Sequence, residues 1–336
     1  MSTPSLLITG ATGFIGFKVL LEALEAGWTV RAAVRSASKA DFLAKHPKVV
    51  ALGATDSKLS FVVVPDICDE KAYEEAIKDV THVIHVASPI PLPFLDPVTG
   101  IYEPNVKSVK AMLRAALTSP SLGKLVITSS QYGNSPFPPN PSLTIDADFR
   151  VPDLAGPPFD SGVHAYWASK VAATNATDAF VRGKNPGFDV VLVFPGWVFG
   201  RDDRALSVQD FFSGTNAVLM GLVTGRDDPE PRPSGVVHVS DAAKLHVLAL
   251  NDGAPRNIGA SIPHMFDEAW DIVNKRFPDE VKNGLLKKGS QPTVHVPWTS
   301  GKTEEVFSFR FRSWEDIVVD TTGQYLELVG KDSSKD

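Results

Sequence analysis

Near its amino terminus the chain carries three glycines at a spacing that constrains its fold more than any other feature. They lie in Thr9-Gly10-Ala11-Thr12-Gly13-Phe14-Ile15-Gly16, between a short apolar run and an amphipathic segment. Gly10 permits a tight turn, Gly13 lets a pyrophosphate approach the backbone, and Gly16 permits close packing of a helix on a strand. Free amides and the helix dipole at that helix's amino end favour the anion. The feature predicts a strand, a dinucleotide-binding turn and a helix.

Along residues 1–195, short β-branched apolar runs alternate with longer amphipathic segments. This alternation is typical of a parallel sheet covered by helices, and the 43% of apolar residues suffices for a large core. The predicted strands are residues 5–9, 29–34, 59–64, 82–86, 124–128 and 189–194. The predicted helices are residues 15–26, 71–77, 106–117 and 165–181. The expected fold class is therefore α/β, a Rossmann-type doubly wound parallel sheet with a smaller mixed lobe.

The alternation breaks at two places, which suggests a second lobe. Prolines are dense across residues 134–159 and disfavour helix interiors and central strands, so we expect a long ordered loop that forms a pocket wall. Beyond Phe199 the pattern is irregular, although a strand and a helix of the first lobe are expected to return at residues 236–250, capped by Ser240 or Asp241. The prediction is a dinucleotide-binding domain of residues 1–199 and 236–260, and a substrate-binding lobe of residues 200–235 and 261–336.

Composition excludes several classes of protein. Lys and Arg number 33 against 39 Asp and Glu, a net charge of −6, so no basic nucleic-acid surface is expected. Cys68 is the single cysteine, which rules out an internal disulfide. His82 and His85 have no third ligand nearby, so no metal is predicted. The first residues lack a signal-peptide pattern and no apolar stretch is long enough for a membrane span, so a cytoplasmic location is expected.

The end of the second predicted strand selects the coenzyme. An acidic residue there would bind the ribose hydroxyls of NAD, whereas arginine accommodates the 2′-phosphate of NADP. The chain has no acid between Glu25 and Asp41 and places Arg35 at the strand's end. We therefore predict NADP(H), with Arg35 on the phosphate and Arg31 and Lys39 in support.

A tyrosine and a lysine four residues apart predict acid catalysis. Tyr166 and Lys170 fall on one face of a predicted helix, and the cation is expected to lower the pKa of the phenol. Such a pair alone is common in structural roles. Ser130, at the end of a predicted strand, adds a hydroxyl at the sheet edge where ligands of this fold bind. Together the three predict a substrate oxygen held by Ser130 and protonated by Tyr166.

These ordered motifs resemble an extended short-chain dehydrogenase/reductase. The branch resembled contains dihydroflavonol reductases, cinnamoyl-CoA reductases and fungal aldehyde and ketone reductases, over residues 6–260. The resemblance implies Ser130, Tyr166 and Lys170 as catalytic residues, with Asn105 tied to the lysine. Thr174 stands where the family often has glutamate, a difference expected on the surface. The cofactor-binding residues implied are Thr9, Gly10, Thr12, Gly13, Phe14, Ile15, Gly16, Arg31, Arg35, Lys39, Asp66, Ile67, Val86, Ala87, Ser88, Tyr166, Lys170, Pro195, Gly196 and Val198.

The resemblance implies an NADPH-dependent carbonyl reductase acting on a small-molecule aldehyde or ketone, small or aromatic and polyketide-like, as a monomer or homodimer. Expected substrate contacts are Ser88, Tyr132, Phe159 and Trp167. One alternative is an NAD-dependent nucleotide-sugar epimerase or dehydratase, or a hydroxysteroid dehydrogenase, although these prefer an acid at the position of Arg35. The other is a redox-sensing dinucleotide-binding protein without turnover, which would be expected to lack Tyr166 or Lys170.

Overall fold

The computed structural model describes residues 5–54 and 57–333, which form two compact units. The first unit contains the described residues up to Pro138, together with Ala147–Phe194 and Ala243–Ile258. The second contains Pro139–Asp146, Pro195–Ala242 and the described residues from Gly259 onward. The sequence had assigned residues 139–146 to the first unit. They join the second because Ile145 exchanges backbone hydrogen bonds of 2.8 Å with Pro297 and Thr299.

Eleven strands and thirteen α-helices are found among the described residues. The strands are β1 (Ser5–Thr9), β2 (Thr29–Val34), β3 (Leu59–Val63), β4 (His82–His85), β5 (Lys124–Thr128), β6 (Asp189–Pro195), β7 (Trp197–Phe199), β8 (Arg232–Pro233), β9 (Val236–His238), β10 (Asn257–Ala260) and β11 (Thr293–Val294). The helices are α1 (Phe14–Glu25), α2 (Ala37–Lys45), α3 (Pro47–Ala51), α4 (Glu70–Ala76), α5 (Glu103–Ala116), α6 (Gly162–Lys184), α7 (Val208–Phe211), α8 (Asn216–Val223), α9 (Val239–Leu248), α10 (Glu268–Arg276), α11 (Pro278–Lys282), α12 (Gly301–Phe307) and α13 (Trp314–Ser333).

The main sheet confirms the predicted fold class. Its seven strands run in the order β10-β6-β5-β4-β1-β2-β3, and the pairings from β3 through to β6 are parallel. The strand order reverses direction between β1 and β4, where Thr9 lies opposite His85. In doubly wound sheets the crevice beyond the carboxyl ends of the strands at such a reversal is the ligand-binding place.

Helix α1 shows how the local sequence produces the layers. Its buried residues include Phe17, Leu20, Leu21 and Leu24, spaced three and four apart, so that one face of the helix packs on the sheet. The helix ends at Glu25, and Gly27 follows with a φ of +85°. On the other side of the strand-order reversal, α5 and α6 pack against each other.

One predicted strand belongs elsewhere. The segment expected to return to the main sheet at residues 236–250 begins with β9, which pairs with β7 in a separate two-stranded sheet of the second unit. The last strand of the main sheet is β10. Asp241 does not cap a helix start at Ala242, because α9 begins at Val239 and the Asp241 carboxylate instead accepts hydrogen bonds from Arg312.

The second unit has an aromatic core of its own. Phe199, Phe211, Phe266 and Trp314 are buried in one apolar cluster contributed by strand β7 and several helices. None of the helices in the described part of the chain is long and apolar enough to cross a membrane.

Candidate active site

The glycine turn between β1 and α1 has little room for side chains. Gly10 has a φ of +75°, and a Cβ atom there would lie 2.8 Å from the Ala87 nitrogen. A Cβ on Gly16 would lie 2.1 Å from the Gly10 carbonyl oxygen. Gly13 caps α1 without a side-chain hydrogen bond, which leaves helix amides directed outward. Thr12 lies within this turn, and Phe14 and Ile15 open the helix. The turn therefore has the close backbone and the amides that a pyrophosphate needs.

The two arginines in and directly after β2 have different surroundings. Arg35, directly after the strand, is exposed and forms no ion pair with a described residue. Arg31 donates hydrogen bonds to the carbonyls of Ala76 (2.9 Å) and Lys78 (2.6 Å). Those carbonyls lie at the end of α4, away from the carboxyl ends of the strands, so the structure does not bring Arg31 to the phosphate position beside Arg35. Lys39 is exposed on α2.

The ends of β1 and β4 are joined by side chains. The Thr9 hydroxyl accepts a hydrogen bond from the Ala87 amide (3.2 Å) and lies 2.9 Å from His85 Nδ1. Burial and the nearby Lys170 lower the pKa of His85 to about 3, so the ring stays neutral. Val86 follows directly, with its amide on the Thr9 carbonyl. The predicted cofactor residues Val86 and Ala87 thus border the glycine turn.

Asp66 and Ile67, expected at the adenine, follow β3. The Asp66 carboxylate accepts a hydrogen bond of 2.8 Å from the Cys68 amide, which closes a local turn. Ile67 is partly buried.

The predicted catalytic residues come together at the start of α6 and the end of β5. The Tyr166 hydroxyl forms a hydrogen bond with Ser130, and the Lys170 ammonium lies 5.4 Å from the centre of the Tyr166 ring. Ser130 also accepts the Tyr132 amide at 3.2 Å and so begins a short 3-10 turn, Gln131–Asn134. The phenol and the serine hydroxyl thus lie within hydrogen-bond distance of each other.

Lys170 is linked to Asn105 through Ser88. The Lys170 ammonium donates to the Ser88 hydroxyl at 2.9 Å, and Ser88 donates to the Asn105 side-chain oxygen. Asn105 in turn donates to the carbonyls of Pro89 (3.2 Å) and Ile101 (2.9 Å). Burial lowers the pKa of Lys170 to about 8. Ser88, expected to touch both cofactor and substrate, thus also holds the lysine.

The pKa of Tyr166 runs against the sequence-based expectation. Burial of the phenol raises its pKa to about 12, and the hydrogen bond from Ser130 offsets only part of that effect. Desolvation of the phenolate therefore outweighs any stabilisation by the neighbouring lysine. The expectation that Lys170 lowers this pKa is wrong in this structure, and at neutral pH the phenol retains the proton it would donate.

Aromatic side chains fix the beginning of the proline-rich loop to α6. Tyr132 stacks on Trp167 with the ring centres 4.2 Å apart, and the Trp167 indole donates to the Ser135 carbonyl at 2.8 Å. Trp167 is only 2% exposed, so little of its side chain is accessible for the substrate contact expected from the sequence. Phe159 is partly buried and packs against Tyr102, with ring centres 5.0 Å apart.

Two interactions of α6 had no clear signal in the sequence. Thr174 was expected on the surface, yet it is 1% exposed and its hydroxyl lies 2.9 Å from that of Ser129. Thr174 lies four residues after Lys170 on α6, and this spacing was the one sequence feature that placed it on the same helix face as the lysine. Arg150, in the loop, binds Asp178 at 2.7 Å and Asn257 at 2.8 Å. Nothing in the local sequence marks Arg150, because both partners are distant in the chain.

Three predicted cofactor residues lie in the second unit. Pro195 ends β6, Val198 is buried in β7, and the Gly196 amide binds the Ala260 carbonyl at 2.9 Å. A Cβ on Gly196 would lie 2.5 Å from the Gly235 carbonyl oxygen, so a close backbone approach requires glycine there.

Comparisons with known proteins agree with the resemblance drawn from the motifs. The chain matches the NAD dependent epimerase/dehydratase family over residues 6–259. It is 35% identical to the ketoreductase CTB6 of Cercospora beticola, over 99% of this chain and 98% of that one. It is 37% identical to the NAD-dependent epimerase/dehydratase ALT6 of Alternaria alternata, over 91% and 93%. The structure of yeast methylglyoxal/isovaleraldehyde reductase Gre2 complexed with NADPH is 25% identical, with a TM-score of 0.79 over 97% and 99% of the chains.

Proposed function

Because the chain belongs to the NAD dependent epimerase/dehydratase family, as an extended short-chain dehydrogenase/reductase, we propose that it is an NADPH-dependent carbonyl reductase. The observation that carries the proposal is the meeting of Ser130, Tyr166 and Lys170 at the carboxyl edge of the sheet, with the phenol hydrogen-bonded to the serine. The ketoreductase name of the Cercospora relative and the NADPH in the yeast reductase structure support the same function.

The described residues fit the coenzyme. The turn at Gly10, Gly13 and Gly16 leaves space that a Cβ would fill, and Gly13 places no side-chain cap at the amino end of α1, where the helix dipole favours a pyrophosphate. Arg35 has no competing ion pair with a described residue and can take a 2′-phosphate. When bound, NADPH supplies the hydride that reduces the carbonyl carbon.

The protein's own residues bind and protonate the carbonyl oxygen of the substrate. Ser130 donates a hydrogen bond to the substrate oxygen and fixes its position beside Tyr166. The Tyr166 hydroxyl transfers its proton to that oxygen as negative charge develops, and its raised pKa ensures that the proton is present at the start. Lys170, held by Ser88 and indirectly by Asn105, places positive charge near the phenolate that results.

The competing function is an NAD-retaining epimerase or dehydratase, the activity in the name of the Alternaria relative. Two features argue against it. Arg35 stands where a ribose-binding acid would lie, and Gln131 and Tyr132 follow Ser130, where a dehydratase needs a carboxylate.

The proposal is tested by following NADPH absorbance with a panel of aromatic aldehydes, α-dicarbonyls, β-keto esters and polyketide-like ketones. We expect net, substrate-dependent oxidation of NADPH and little with NADH. Purified protein carrying tightly bound NAD, with no net coenzyme turnover on any carbonyl, would instead support the epimerase.

The rate is expected to depend on pH through Lys170. Its pKa is lowered to about 8, so the ammonium is present below that pH and is lost as the pH rises through it. Tyr166, with a pKa of about 12, keeps its proton throughout this range. We therefore expect kcat/KM for NADPH, which reports free-enzyme groups, to fall above about pH 8 and approach a tenfold decrease per pH unit.

The matched variant is Lys170→Arg, whose guanidinium stays charged across the same range. The Lys170→Arg enzyme should have a lower kcat, but its kcat/KM for NADPH should no longer fall above about pH 8. A limb that persists unchanged in Lys170→Arg would assign the titration to another group.

A further inference from the structure

We propose that Thr174 is a positioning residue that holds the Ser130 turn at its working distance from Tyr166. The inference rests on the carbonyl reductase function proposed above and concerns how its geometry is maintained. Thr174 touches none of the reacting groups. Its hydroxyl instead hydrogen-bonds Ser129, the residue directly before Ser130, and both side chains are buried.

Segment 129–135 contacts one face of α6 at three points along the helix axis. At one end the Trp167 indole donates to the Ser135 carbonyl at 2.8 Å. At the other end the Thr174 hydroxyl lies 2.9 Å from that of Ser129. Positions 167 and 174 are two helical turns apart, about 10 Å along the axis, so the two bonds fix both ends of the segment along the helix.

Between these ends the segment approaches the helix backbone through Gly133. A Cβ on Gly133 would lie 2.3 Å from the Ser129 hydroxyl, 2.7 Å from the Thr174 hydroxyl and 3.2 Å from the Lys170 carbonyl oxygen. The turn therefore packs against the pair of hydroxyls as well as against the helix. Loss of the Thr174 hydroxyl would remove the partner of Ser129 at the point of closest approach.

Helix α6 also carries Tyr166 and Lys170, so it is the common frame for all three catalytic groups. Tyr166 and Lys170 belong to this helix, whereas Ser130 follows β5 and is held against the helix by the contacts of segment 129–135. The Ser129 amide also donates to the Val193 carbonyl at 2.8 Å, which anchors the start of the segment to the sheet. The Thr174 bond and the tryptophan bond then fix the segment along the helix and so contribute to the separation of the Ser130 and Tyr166 hydroxyls. Misplacement of a catalytic group by about 1 Å can cost up to about a hundredfold in rate.

The test compares Thr174→Val, which removes the hydroxyl at nearly constant volume, with Thr174→Ser, which keeps it. The matched control is Thr177→Val on the same helix. Thr177 is equally buried, but its hydroxyl donates to the Ala173 carbonyl of its own helix and does not touch the turn. Measured quantities are kcat and KM for the carbonyl, the Kd of NADPH by fluorescence, and Tm.

We expect Thr174→Val to lower kcat about tenfold while the Kd of NADPH changes less than about twofold. Thr174→Ser should restore most of the rate, and Thr177→Val should keep it. Ser129→Ala should reproduce the loss, and combining it with Thr174→Val should add little, because both remove the same bond. Ser129→Ala also tests the bond if Thr174→Val does not fold.

Two results would overturn the inference. One is an unchanged kcat in Thr174→Val, and the other is an equal loss in Thr177→Val, which would show that any buried hydroxyl of α6 matters. Ser130→Ala separates this failure from failure of the proposed function. If Ser130→Ala is inactive and Thr174→Val is not, only the positioning role fails, whereas an active Ser130→Ala removes the catalytic assignment itself.

Discussion

Replacing Tyr166 with phenylalanine is expected to lower kcat at least about a hundredfold, the lower range for loss of a general acid. The substitution removes one oxygen from a partly buried ring that packs against Tyr132, so the fold should be preserved. The Kd of NADPH should remain close to that of the wild type, because the phenol's proposed role is toward the substrate oxygen. Steady-state kinetics with the best carbonyl of the panel, alongside NADPH fluorescence titration, measure both quantities.

Tyr132→Phe provides the control for that experiment. Tyr132 stacks on Trp167 next to Tyr166 and also loses one hydroxyl, so it reproduces the chemical change without removing the proposed acid. We expect a much smaller fall in kcat than for Tyr166→Phe. Equal losses in the two variants, or a Tyr166→Phe enzyme with nearly full kcat, would remove Tyr166 from the mechanism.

The second large effect is expected at Arg35. A 2′-phosphate carries about two negative charges and can accept two charge-assisted hydrogen bonds from one guanidinium, each worth roughly 1.5 to 3 kcal/mol. Arg35→Ala should therefore weaken NADPH by about ten to a hundredfold and leave NADH nearly unchanged. Arg35→Asp should go further, because a carboxylate repels the phosphate and can accept the ribose hydroxyl of NADH. The measurement is kcat/KM for both coenzymes.

Arg31→Ala is the matched control, since it removes an arginine four residues earlier, on the strand that Arg35 directly follows. The Arg31 guanidinium is bound by the carbonyls of Ala76 and Lys78, so its loss should reduce stability more than coenzyme preference. A wild-type preference for NADH would contradict the assignment of Arg35. So would a loss of NADPH affinity in Arg31→Ala as large as in Arg35→Ala.

Local sequence patterns predicted the sheet well. Strands β1, β2 and β5 begin and end at the predicted residues, because each is a short apolar or β-branched run followed directly by a glycine or a polar residue. The glycine turn was also predicted correctly. Gly10 and Gly16 must be glycine because a Cβ there would clash with backbone atoms that are near in sequence or at the end of a neighbouring strand. Strand β10 was missed as a separate element, because four residues give too short a period to recognise.

Features that depend on distant partners could not be read from the sequence. Arg31 and Arg35 are close in sequence and alike in chemistry, whereas the hydrogen bonds of Arg31 to the end of α4 depend on the fold. Thr174 was predicted to lie on the surface because the local sequence of a helix does not show that a threonine has a hydrogen-bond partner, here a serine, 45 residues away. The pKa of Tyr166 was misjudged for a related reason, since burial is a property of the whole fold whereas the spacing to Lys170 is visible locally.

The division of the chain between the two units affects the order in which the protein can fold during synthesis. The first unit is closed by Ala243–Ile258, which follows all of Pro195–Ala242 of the second unit along the chain. A nascent chain that has passed Phe194 on the ribosome therefore has six strands of the main sheet but not β10, and β6 remains an unpaired edge. Neither unit corresponds to a continuous stretch of the gene. A cut between residues 194 and 195 therefore leaves the first fragment without Ala243–Ile258 of its unit and the second fragment without Pro139–Asp146 of its own.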